Sequence, residues 1–215
     1  MKTKALFWTA LFLSIALCGC ASTPHTIGYD VSKPPMPPAN LGKVYIAPLS
    51  DERPNQEREG IKGKVLTFSS RDKHFSKKVP QAIREVLSNE LNSVGFSVIQ
   101  KEESADYKIT GSVKHFQAVM SPAKITFLPY LGSASTLWAK DDFTIALSLY
   151  IKMTNPDRSV LIDKTFDISQ DLKLSTGLLN LARYSRGFNY KLKLLDEALK
   201  DVMTQIRDEA KAKVK

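Results

Sequence analysis

Two thiols, three imidazoles and one pair of adjacent aspartates are the side chains of this sequence whose types could do chemistry. The thiols are Cys18 and Cys20, the two cysteines of the chain, and both follow an uncharged run from Ala5 to Ala16. Beyond them there is no cysteine, so the rest of the chain can hold no disulfide, no iron–sulfur cluster and no thiol nucleophile. His25, His74 and His115 stand far apart, none at ligand spacing from another His, Cys or carboxylate. A zinc site needs three or four ligands at recognisable spacing. Asp141 and Asp142 would offer paired acids for glycan hydrolysis. Neighbouring residues of a strand point to opposite faces, however, so the pair reads as a solvated strand start. The phosphate-binding glycine loop, the dinucleotide fingerprint and the nucleophile elbow are all absent from the sequence. The residues therefore predict no enzymatic activity, no catalytic group, no metal and no cofactor.

The elements around Cys20 decide its chemistry. Lys2 and Lys4 precede the apolar run, and Leu17-Cys18-Gly19-Cys20 closes it. A basic start, an apolar stretch of this length and small residues at its end describe an export signal. The run is too short to cross a hydrocarbon core about 30 Å thick, which needs roughly 20 helical residues. Leu followed by small residues and Cys resembles the lipobox of bacterial lipoproteins. That resemblance implies removal of residues 1–19, a diacylglycerol thioether on the Cys20 sulfur and an N-acyl chain on its freed amine. Two or more acyl chains anchor stably where one is marginal, each buried methylene adding about 0.8 kcal/mol. Ala21 and Ser22 follow Cys20 in place of an Asp, and by the same resemblance this implies the outer membrane, facing the periplasm.

Residues 20–40 read as a lipidated Cys and a Pro-rich tether, with Pro24, Pro34, Pro35, Pro37 and Pro38. Twenty residues of polyproline II would reach roughly 60 Å. Residues 41–215 are a suitable length for one domain with its own core. Lys43 to Leu49 predicts a strand, and a polar loop follows from Ser50 to Lys64. Ile83, Val86, Leu87, Leu91 and Val94 recur at three- and four-residue spacing, predicting a helix over 79–94 with Gly95 as its left-handed cap. Strands follow at 96–100, 106–118 and 142–153. Asn155-Pro156-Asp157 marks a turn into a partner strand carrying Val160, Ile162, Phe166 and Ile168. A second amphipathic helix spans about 190–212, with Leu195, Leu199, Val202, Ile206 and Ala210 inward and Asp196 and Arg207 on the wet side. The order β-α-β-β-β-β-α predicts an α+β fold, a mixed and mostly antiparallel sheet with two helices on one face.

KVYIAPLSDERP, a helix ending LNSVGFSVI and then SADYKITGSV resemble the YajG-like and ABC-transporter auxiliary lipoproteins, over about residues 41–118. The architecture is also similar to that of LptE. The resemblance implies an envelope protein and carries over no catalytic residue. Two features supply candidate partner contacts. Residues 120–138 form a long apolar connection with Phe127, Tyr130, Leu131 and Trp138, and long loops of this kind are often functional. RDKHFSKK gathers Arg71, Lys73, Lys77 and Lys78. Leu172 to Phe188 mixes leucines with Arg183 and Arg186, as a third helix or a contact surface. The formal charge of +9 becomes +7 once Lys2 and Lys4 leave with the signal. For an exported, anchored protein a basic surface points to an anionic lipid or polymer and not to nucleic acid. The sequence predicts a lipid-anchored accessory or adaptor subunit of an envelope protein complex, with lipid or polysaccharide transport as the leading assignment. A lipid carrier and a structural subunit of a secretion or motility apparatus are the alternatives.

Overall fold

A computed structural model of the chain describes residues 24–31, 40–60, 68–121, 141–174 and 180–214. Cys20 and the apolar stretch with Phe127, Tyr130, Leu131 and Trp138 lie outside the described residues. The described elements are β1 (Gly42–Ile46), β2 (Ser50–Asp51), α1 (Asn55–Glu59), β3 (Phe68–Ser69), α2 (Val79–Val94), β4 (Phe96–Ile99), β5 (Tyr107–Ser121), β6 (Asp141–Thr154), β7 (Val160–Leu174) and α3 (Asn180–Val214). The fold is α+β, as the sequence predicts. The main path of the sheet runs β4-β1-β5-β6-β7. β1 pairs parallel with β4 and β5, whereas β5–β6 and β6–β7 are long antiparallel pairs.

The core follows from two periodicities. On β6, Phe143, Ile145, Leu147, Leu149, Ile151 and Met153 are all buried, the two-residue repeat of one strand face. On α2 and α3 the buried positions include Ile83, Val86, Leu87 and Leu91, and Leu195, Leu199, Val202, Ile206 and Ala210, the stripes read from the sequence. Each large aliphatic side chain among them gains about 1.5–3 kcal/mol from leaving water. Gly95 ends α2 at φ 111°, its N–H on the Asn92 and Leu91 carbonyls. Here the left-handed conformation favours glycine.

The structure departs from the sequence reading in three places along the sheet and its helices. First, β5 carries a bulge between Val113 and His115. Ile109 and Val113 face the core before it, and Phe116, Ala118 and Met120 after it, so the buried parity changes. Second, the loop from Ser50 carries regular structure. β2 pairs with β5 at Ser112 and Val113, β3 pairs with β5 at Val119 and Met120, and α1 lies between them in sequence. Between those short strands the β5 edge is served by side chains: the Phe116 N–H donates to Glu57 Oε2 at 3.0 Å and the Ala118 N–H to Ser70 Oγ at 3.0 Å. Side-chain acceptors thus replace ladder partners where no strand runs alongside. Third, β7 extends to Leu174 and α3 begins at Asn180, ten residues before the predicted start at 190. The stretch 172–188 is therefore split between a strand end and a helix start, and is no separate third helix among the described residues.

Of the expected tether, residues 24–31 are described and are packed on the domain, while Cys20 and residues 32–39 lie outside the described residues. Residues 24–31 are laid across α2 and α3 as a strap. The His25 N–H donates to the His74 carbonyl at 2.7 Å, and the Ser76 N–H to the His25 carbonyl at 2.9 Å. His25 Nε2 lies 2.8 Å from Asp196 Oδ2, and the Gly28 N–H donates to Asp196 Oδ1 at 3.2 Å. Ile27 is only 6% exposed. The Tyr29 hydroxyl donates to Glu90 Oε1 at 2.8 Å, and Arg207 Nη1 donates to Glu90 Oε2 at 3.2 Å. Asp196 and Arg207, expected on the wet side, are half-buried because the strap and Glu90 take their polar groups. Prolines alone suggest a stalk, but one buried Ile and three polar anchors hold this part of it down.

Candidate functional site

The polar loop after β1 and the start of α2 enclose a cavity of about 480 Å³. Pro48, Leu49 and Asp51 come from the β1–β2 segment, Arg53 from the turn after β2, and Arg58 from α1. Asp72 stands on a single 3₁₀ turn (Asp72–His74), and Lys78, Pro80, Gln81 and Arg84 come from the start of α2. Pro80 suits a helix start because its missing N–H has no intrahelical acceptor to meet there. Lys78 precedes the helix, and its side chain makes no capping hydrogen bond. The helix start therefore presents partial positive charge.

Arg53 is the organising residue. It is 4% exposed, and its Nε and Nη2 each donate to Asp51 at 2.8 Å, with Nη2 also 2.9 Å from Asp72 Oδ1. Burial works against its charge, but the two carboxylates outweigh burial and hold the guanidinium above its ordinary value. The hydrogen bonds from Arg53 in turn hold the Asp51 carboxyl below the usual carboxylate range. Nη1 of Arg53 is buried with no hydrogen-bond partner. Arg84 Nε donates to the Ile46 carbonyl at 2.9 Å, which fixes its guanidinium at the cavity wall. Both carboxylates of the cavity are bonded to Arg53, so the arrangement suits holding an anion and not moving a proton.

The basic segment singled out by sequence does not form one surface. Lys78 lies at the cavity. Lys77 is paired with Glu85 at 2.6 Å, and Lys73 is exposed on the 3₁₀ turn. Arg71 turns inward over Gly60, where a Cβ would overlap its guanidinium and where φ is 98°. The reason is the turn and helix start between 72 and 79, which rotate successive cations in different directions. Arg53, Arg58 and Arg84 were not singled out by sequence. Arg53 alone has a signal, the alternation of acids and bases in Ser50-Asp-Glu-Arg-Pro, which also describes an ordinary wet loop.

Other ionisable groups are buried close to this loop. Glu57, 7% exposed, accepts from the Phe116 N–H and stands 2.6 Å from His115 Nδ1. His115 thus faces a carboxylate instead of the core, because the bulge turned it outward. Glu57→Ala removes the acceptor of a buried N–H and one half of that contact, and is expected to cost about 2–3 kcal/mol, seen as a lower urea midpoint. Glu57→Gln, which keeps an acceptor oxygen, should recover part of the loss. A loss below about 0.5 kcal/mol in Glu57→Ala would show that the α1–β5 junction is solvated. Burial and then the charges of Lys191, Lys73 and Arg71 push His74 down to about 4. Lys191 is fully buried, and burial followed by Arg71 pushes it down to about 7. Among the described residues no group of three His, Cys, Asp or Glu side chains could hold a metal ion, and no helix is long and apolar enough to cross a membrane.

A second groove, of about 830 Å³, is lined by Lys108, Thr110, Lys152 and residues of the turn between β6 and β7. Its lysines are already paired, Lys108 with Glu102 at 2.6 Å and Lys152 with Asp163 at 3.7 Å.

No protein-family model and no curated protein matches this chain. Some solved structures are similar to it. Protein XCC0632 from Xanthomonas campestris, of the family DUF330, superposes with a TM-score of 0.50 at 13% identity, covering 86% of this chain and 93% of that one. A neuraminyllactose-binding hemagglutinin homolog from Helicobacter pylori gives 0.47 at 16% identity, over 87% of this chain and 91% of that one. Uncharacterized lipoprotein B from Nitrosomonas europaea gives 0.37 at 13% identity, over 76% and 81%. At such identities the likeness speaks for the fold alone. Lipoprotein B and several further similar structures are named as lipoproteins.

Proposed function

We propose that this chain is a non-enzymatic, lipid-anchored envelope protein, held on the periplasmic face of the outer membrane through acylated Cys20. In this reading it serves as an accessory or adaptor subunit of an envelope assembly, with lipid or polysaccharide transport as its leading assignment. The observation that carries it is the strap. Pro24 follows Cys20 by four residues, which span at most about 14 Å when extended, and His25 is already bonded to the domain. An acylated Cys20 would therefore hold the domain close to the bilayer, not roughly 60 Å away as a free stalk would. Holding it there raises its effective concentration for partners in the same membrane. Ser121 and Asp142 are paired at the far end of β5 and β6, five residues beyond Phe116, whose ring meets Phe75 beside His25. Ser121 and Asp142, between which most of the apolar stretch 120–138 lies in sequence, are thus towards the side on which the strap begins, which supports a role for that stretch in contacting partners.

The test is a crosslinking pull-down of the full-length protein from its native envelope, with Cys20→Ala as control. Wild type should fractionate with outer membranes and recover the same envelope subunits reproducibly. Cys20→Ala should be released to the soluble fraction and lose them. Equal membrane retention of the two proteins would overturn the anchor, and recovery of bound lipid without a protein partner would replace the adaptor with a carrier.

A further inference from the structure

The cavity at the start of α2 has a property that an adaptor's surface does not require. Its wall carries four cations, Arg53, Arg58, Lys78 and Arg84, against two carboxylates, Asp51 and Asp72. Both carboxylates are consumed by Arg53. Arg58 touches Asp72 only at 4.0 Å, and among the described residues no ion pair forms at Lys78 or Arg84. The surplus charge therefore belongs to Arg84, Lys78 and Arg58.

We propose that this cavity is a binding site for a phosphate group, with Arg84 and Lys78 as its direct contacts and Arg58 closing the mouth. Four observations converge on that class of ligand. The α2 start, where Lys78 makes no side-chain capping bond, offers the positive end of the helix dipole. Arg84 is pre-oriented by its Nε bond to Ile46, leaving its terminal nitrogens for a tetrahedral oxyanion, which a planar guanidinium matches well. Arg53 lies more than nine-tenths buried in the wall with Nη1 unpartnered. The volume, about 480 Å³, exceeds what a bare phosphate fills, and Pro48, Leu49 and Pro80 give the remainder an apolar lining. A phosphate ester with a small organic group fits this better than a free ion. Lys78 also belongs to the segment that the strap crosses at His74 and Ser76, so under the anchored reading the mouth lies near lipid headgroups.

The proposal does not need the lipid anchor, and its test is independent of it. Full-length protein in a non-ionic detergent is titrated calorimetrically with inorganic phosphate, glycerol 1-phosphate and succinate. Phosphate and its ester should bind, succinate at least about tenfold more weakly, and binding should weaken with salt. Lys78→Gln disturbs no hydrogen bond or ion pair among the described side chains and should lower affinity several-fold. Adding Arg84→Gln should bring the loss to about tenfold or more, as for lost hydrogen bonds to charged groups. Arg158→Gln, in the distant β6–β7 turn, should leave affinity unchanged. Tighter binding of the ester would identify a lipid headgroup or sugar phosphate as the source, and equal binding a free phosphate. No binding by wild type, equal binding of succinate, or unaltered affinity in Lys78→Gln with an unchanged melting curve would each overturn the site.

Discussion

Gly111→Ala is expected to destabilise the domain by about 3 kcal/mol, at the upper end of overpacking costs. Gly111 pairs with Ile151 across the β5–β6 ladder, and a Cβ there would fall on the Tyr150 carbonyl oxygen and lie 3.2 Å from Ile151 Cδ1. A carbonyl cannot rotate away as a side-chain tip can. β6 is bonded on its other side to β7 along its whole length, so it cannot shift without breaking a second ladder. For a domain of this size such a loss lowers Tm by about 10 °C. Thermal unfolding followed by circular dichroism reads it directly. A change below about 2 °C would mean that the two strands part freely at this point, and the central pairing would then be looser than described.

Lys191→Met is the second large effect, and its sign depends on pH. An unfolded lysine titrates near 10.5, and burial followed by the Arg71 charge brings Lys191 to about 7 in the fold. Between those values the unfolded chain holds the extra proton, so stability rises as pH rises from about 7 towards 10.5. Below about 7 both states are charged there, and the full cost of burying the ammonium is present. That cost is about 5 kcal/mol at most, from about 1.36 kcal/mol per unit. His74 adds a second rise in the same direction: its unfolded value is 6.5 and its folded value about 4, so stability falls as pH drops from 6.5 towards 4. Lys191→Met should therefore raise the urea midpoint at about pH 6 and flatten the profile between about pH 7 and 10. The fall below about pH 6.5 should remain, eased because a neighbouring charge on His74 is gone. A variant less stable than wild type at about pH 6 would show that the contacts of the ammonium outweigh its burial.

Much of the scaffold was legible because its signals are local. The stripe from Ile83 to Leu91, the cap at Gly95 and the alternation from Phe143 to Ile151 each depend on residues a few positions apart, and the buried positions match them. His115 was not legible. Alternation from Ile109 and Val113 would have sent it inward, and one extra residue in the ladder sent it to Glu57. The basic segment failed for a related reason: Arg71, Lys77 and Lys78 are neighbours in sequence, but a 3₁₀ turn and a helix start carry them over Gly60, to Glu85 and to the cavity in turn. Arg53 gave no sign beyond the charge alternation of a wet loop, since its meaning comes from Asp72, which a separate turn brings to it.

By itself, then, the sequence determined the α+β class, the order of the long elements and the two apolar helix faces, because hydrophobic periodicity and capping act within one turn or one strand. Tertiary structure alone decided that residues 24–31 form a strap, that Glu57 and Ser70 complete the β5 edge, and that Arg53, Lys78 and Arg84 share one cavity. The strap joins His25 to a carboxylate 171 positions away. Contacts over such separations leave no period in the chain to read.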